Sequence, residues 1–67
     1  MNSPDFRVEN HGTIVLFAGQ HEGARQWLRN TAPEDAQWFC GKLVVEPRYV
    51  QGVIDAAESD NYRVLVP

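Results

Sequence analysis

The longest unbroken apolar stretch of the chain is Ile14-Val15-Leu16-Phe17-Ala18, opened by Gly12-Thr13 and closed by Gly19. It is too short for a buried helix and rich in β-branched and aromatic residues, so residues 12–19 predict a strand buried in the core. Over residues 20–30 the pattern changes. Ala24, Trp27 and Leu28 stand at i, i+3 and i+4, with Glu22, Arg25, Gln26 and Arg29 between them. That spacing predicts a short amphipathic helix, although Gly23 weakens it by about 1 kcal/mol relative to alanine.

Thr31-Ala32-Pro33-Glu34 has the form of a capping box with proline in the first turn, which predicts a helical turn over residues 32–38 held down by Trp38 or Phe39. Cys40-Gly41 interrupts the pattern, and Lys42-Leu43-Val44-Val45-Glu46 reads as a second strand. From Pro47 a stripe of Tyr49, Val50, Val53, Ile54 and Ala57 predicts a second helix, with Ser59-Asp60-Asn61 ending it. Tyr62-Arg63-Val64-Leu65-Val66 is a third strand.

The expected fold class is therefore α/β (α+β). It is a small two-layer sandwich in the order β-α-(turn)-β-α-β, a three-stranded sheet with both helices on one face. Residues 1–11, with Pro4 and four charged or amide side chains around Phe6 and Val8, read as a flexible N-terminal arm ending in a short extended piece. Residues 12–67 form the single domain. A similarity between the two glycine-strand-helix segments at Gly12 and Gly41 is too faint to count as a repeat.

Composition narrows the function more by exclusion than by assignment. Of 67 residues, 43% are hydrophobic, which argues against a disordered chain. The formal charge of -3 argues against direct binding to nucleic acid or an anionic membrane, and the charged first ten residues do not form a signal peptide. With no export signal and one cysteine, Cys40, the expected location is the cytoplasm. No internal disulfide can form, and one cysteine with two histidines makes no zinc cluster.

Glycine-rich phosphate loops, nucleophile elbows and dinucleotide fingerprints are absent from the sequence. His11 and His21 flank the first strand at opposite ends and read as loop residues. Cys40 reads as a small buried or half-buried residue at a strand entry. The sequence thus predicts no catalytic residue, no metal site and no cofactor. What remains is surface. Trp38, Arg48 and Tyr49 are the residue types that anchor interfaces. Glu34 and Asp35, together with Asp55, Glu58 and Asp60 on the outer side of the second helix, make an acidic surface suited to a basic partner.

One stretch supplies context. The segments Asn10-His11-Gly12-Thr13-Ile14, Ala24-x-x-Trp27-Leu28 and Ala36-Gln37-Trp38-Phe39 lead into Leu43-Val44-Val45-Glu46-Pro47-Arg48-Tyr49-Val50. Together they resemble a family of short proteins of bacteriophages and mobile elements whose function is mostly unassigned. The resemblance runs from about residue 10 to residue 64. It departs at Cys40, where the family carries a glycine. It implies no catalytic residues. It implies a non-catalytic protein that binds and inhibits a host defence protein in the manner of an anti-CRISPR, with a nucleic-acid-binding effector as the partner. The competing expectation is an accessory module that forms a homodimer by joining sheet edges.

Overall fold

The computed structural model describes residues 3–66. The strands are β1 (Phe6–Asn10), β2 (Val15–Gly19), β3 (Trp38–Phe39), β4 (Lys42–Val45) and β5 (Val64–Leu65); the helices are α1 (Glu22–Thr31) and α2 (Val50–Ser59), the latter entered through a 3-10 turn at Pro47–Tyr49. Five strands make one mixed sheet in the order β3-β4-β2-β1-β5. All neighbours are antiparallel except β1 and β5, which run parallel with Phe6 opposite Val64.

The mixed α+β class and the two helices agree with the sequence, but the sheet has two more strands than the three expected. β1 lies in what was read as a flexible arm. Its Phe6 and Val8 point to the core while Arg7 and Glu9 point away. That alternation is the mark of a half-buried strand. Residues 1, 2 and 67, assigned by the sequence reading to the arm and to the end of the domain, lie outside the described residues.

The second addition is β3, where a helical turn was expected. Thr31 is the last residue of α1, so it caps nothing. Ala32 is extended (φ -66°, ψ 147°), as a residue before proline must tend to be. Pro33 to Ala36 then closes a β-turn, in which the Ala36 amide donates to the Pro33 carbonyl at 3.0 Å. Trp38 and Phe39 follow as a strand paired with Leu43 and Lys42. The two residues joining β3 to β4, Cys40 and Gly41, both have positive φ, 52° and 78°. This is the backbone of a type I′ hairpin turn, whose twist matches that of the strands.

One core lies between the sheet and both helices. Phe6, Val8, Val15, Phe17, Leu43 and Val45 meet Ala24 and Leu28 of α1 and Ile54 and Ala57 of α2. Tyr49, expected on the inner stripe of the second helix, precedes α2 and is 55% exposed. At the end of β2, a Cβ on Gly19 would stand 2.8 Å from the Arg25 backbone nitrogen; glycine there lets α1 sit directly on the strand end.

Leu16 and Ala18 are also buried, but on the opposite side of the sheet. Glu9 lies opposite Leu16 on one side of β2, and Lys42 lies next to Leu43, the partner of Phe17, on the other. Their side chains meet at 2.8 Å, so one ion pair straps this outer face and its methylene stems cover the apolar residues beneath.

α2 ends in a Schellman motif. The Tyr62 amide donates to the Ala57 carbonyl and the Asn61 amide to that of Glu58, both at 3.0 Å. Asn61 takes the left-handed conformation the motif needs (φ 68°).

Candidate binding surface

The strands and turns just described scatter the eight residues picked out by the sequence. Glu34 and Asp35 are the exposed central residues of the Pro33–Ala36 turn. Trp38 stands on edge strand β3, 42% exposed. Arg48 and Tyr49 belong to the 3-10 turn, with the Arg48 guanidinium 4.9 Å from the Tyr49 ring centre and 3.6 Å from the Glu46 carboxylate. Asp55 and Glu58 lie exposed on α2, and Asp55 accepts a hydrogen bond from Gln51 at 2.9 Å.

Asp60 has another use. Its carboxylate accepts from the Trp27 indole N–H at 2.6 Å. Trp27 in turn packs with Phe6 and Tyr62, with ring centres 5.4 to 5.8 Å apart. The hydrogen bond satisfies the polar end of a half-buried indole and ties α1 to the end of α2. Asp60 therefore has an internal partner 33 residues away that sequence spacing does not reveal.

Two of the eight residues come together in a groove. Asp35 and Tyr49 both line a 690 Å³ depression with Ile14, Ala36 and Val53 in its apolar lining and Glu46 as a second carboxylate. No lysine or arginine lines it. Glu46 and Ile14 were not anticipated as site residues. Ile14 is the first residue of the apolar run that predicted a strand, yet it falls just outside β2 and is 38% exposed. Trp38 lines a separate hollow of 540 Å³ with Arg25, Arg29, Pro33 and Glu34.

The titratable pairs are structural. Asp5 accepts from His21 Nε2–H at 2.7 Å and from the Arg63 backbone N–H at 2.8 Å. These bonds hold its carboxyl below the ordinary value of 3.8, the His21 contribution being the larger. The His21 Nδ1 accepts from the Ala24 amide at 3.3 Å and caps α1. Asp5 and His21 thus have the spacing of a catalytic dyad, but both ring nitrogens are already engaged.

Glu9 is lowered by Lys42 first and His11 second, and Glu22 by Arg29 ahead of Arg25. Cys40 is exposed, where the sequence predicts a buried or half-buried residue. A two-residue hairpin turn projects its side chain outward, and that is the physical reason for the difference. Among the described residues no group of three or more His, Cys, Asp or Glu side chains is placed to hold a metal ion. Nor is any helix there long and apolar enough to cross a membrane.

Comparison of the chain with protein-family models, with curated proteins and with solved structures finds no match.

Proposed function

We propose that the chain is a non-catalytic binding protein whose target is a basic, apolar-tipped segment of a host protein, taken up in the groove between the Pro33–Ala36 turn and Tyr49. The observation that carries this reading is the groove itself: an apolar floor, one exposed aromatic ring and the Asp35 carboxylate in the lining, with Glu46 already shared with Arg48. A Lys or Arg side chain crossing the floor would bury its methylenes on Val53 and Ile14 and bring its charge to Asp35. Asp55 and Glu58 extend the negative field along α2 and would steer a positive partner during approach.

Host proteins that handle nucleic acid carry such basic segments. The resemblance to short phage and mobile-element proteins supplies the context for inhibition. In this reading the chain occupies a defence effector where that effector would otherwise hold phosphates, as an anti-CRISPR does.

The test is phage plating on a host with an active defence system, with and without the chain. Expression should restore plating. Asp35→Lys combined with Tyr49→Ala should abolish the effect while leaving the melting temperature unchanged, because both side chains are exposed. Full activity of that double variant would refute the groove. No restoration against any defence system tried would refute the inhibitor role.

A further inference from the structure

His21 caps α1 with an imidazole, where a hydroxyl, amide or carboxylate is the usual cap. Its two ring nitrogens have partners of opposite kind. Nε2 stands 2.7 Å from the Asp5 carboxylate, which accepts, and Nδ1 stands 3.3 Å from the Ala24 amide, which donates. These partners admit one tautomer of the neutral ring, with the proton on Nε2 and a lone pair on Nδ1.

The turn held by that lone pair depends on it. Ala24 is completely buried, so its amide cannot exchange the ring for water unless the turn moves. Gly23, between the cap and Ala24, is a poor helix former. It also makes room for the ring, since a Cβ there would stand 3.3 Å from His21 Nδ1 and Cε1. On the other side of the ring, the second Asp5 oxygen accepts the Arg63 backbone N–H at 2.8 Å. The imidazole therefore joins the start of α1 to the residues just ahead of β1 and β5.

We propose that His21 is a proton-operated cap: a second proton on its ring releases the first turn of α1 and strengthens the tie to Asp5. The two contacts respond in opposite senses. An imidazolium only donates, so Nδ1–H would meet the Ala24 N–H with no acceptor between them. Nε2–H to Asp5 becomes a bond between full charges. The positive ring also lies at the positive end of the helix dipole. The charges that bear on the junction are Asp5 itself, Arg63, which acts on Asp5, and on α1 Glu22 and Arg25, which pair with each other at 3.4 Å. Glu22 is the first residue of α1 and also holds Arg29 at 2.6 Å. Release of the first turn therefore loosens its grip on both arginines.

Nuclear magnetic resonance of the isotopically labelled full chain tests this. Ring nitrogen shifts count the protons on His21 at each pH, and amide hydrogen exchange, taken as protection relative to the unfolded chain, reads both sides of the junction. When the second proton enters, Ala24 should lose protection by about fivefold, the worth of one N-cap, while Arg63 keeps or gains protection. Serine caps without titrating, so His21→Ser should leave Ala24 equally protected at both pH values; His21→Asn is the second such variant if the serine chain does not fold. A neutral ring with its proton on Nδ1 would overturn the proposal. So would Ala24 protection that ignores the second proton, or an equal fall in His21→Ser. A parallel fall at Arg63 would also overturn it, because that marks general unfolding and not the release of one turn.

Discussion

Replacing Phe6 by alanine examines the part of the fold least expected from the sequence. Phe6 is completely buried, and its ring centre lies 5.5 Å from that of Trp27 and 5.4 Å from that of Tyr62. Truncating a phenylalanine in a closed core costs about 3–5 kcal/mol. A chain of this length has a total stability of about 3–10 kcal/mol at the usual value per residue. Phe6→Ala should therefore consume most of the stability. Phe6→Leu keeps much of the volume but loses two ring contacts, each about 0.5–1.5 kcal/mol, so it should fall between alanine and the parent. Arg7→Ala, one residue on, points to the outer face and should change stability by less than about 0.5 kcal/mol.

Urea unfolding followed by far-ultraviolet circular dichroism and by tryptophan emission would measure all three. A lower midpoint at constant slope is expected for Phe6→Ala and Phe6→Leu. Equal, small effects of Phe6→Ala and Arg7→Ala would refute the placement of β1 in the sheet, because a flexible arm makes no distinction between alternate residues.

Two further outcomes follow from the turns and the ion pairs. Cys40 holds φ 52°, a conformation that costs an ordinary L-residue about 1–2 kcal/mol and asparagine less; Cys40→Asn should raise stability by about 0.5–1 kcal/mol, seen as a rise of a few degrees in melting temperature. The carboxyls of Asp5, Glu9 and Glu22 are all held below their ordinary values of 3.8, 4.5 and 4.5. Their folded forms bind protons less readily than the unfolded chain, so this contribution is fully present above about pH 4.5 and is lost as pH falls through the depressed folded values. Asp5→Asn should flatten the acid limb of the stability–pH curve, and a limb unchanged in slope would count against the Asp5–His21–Arg63 junction.

The elements legible in the sequence were those that carry their own signal. β2 and β4 are continuous apolar runs, and α1 and α2 show their inner residues at helical spacing. β1 carried a signal as well, with Phe6 and Val8 alternating with Arg7 and Glu9, but Pro4 and the polar neighbours outweighed it. The capping-box pattern at Thr31 misled because Pro33 acts in both directions. It can open a helix, and it also forces the residue before it out of one. β3 has only two residues, and its existence depends on the turn at Cys40-Gly41 and on the partner strand.

The surface was harder still. Glu34 and Asp35 were legible as exposed turn residues. That Asp35 shares a groove with Tyr49 and Glu46, while Asp60 is drawn off by Trp27, depends on contacts made across the fold. Such pairings carry no local pattern.

The parallel pairing of β5 with β1 has a consequence for how the protein is made. Arg63 joins the sheet through its backbone: its N–H reaches the Asp5 carboxylate across 58 residues, and its C=O accepts from the amides of Asp5 and Phe6. The side of β1 away from β2 therefore stays open until residues 63–65 have emerged from the ribosome. During synthesis β2, α1, β3 and β4 can associate through contacts close in sequence, but the sheet is sealed only by its most distant pairing, which is the slowest kind to form. Nascent chains of this protein should thus expose an unpaired strand until residues 63–65 have emerged and paired, and they would gain full resistance to proteases only after that pairing.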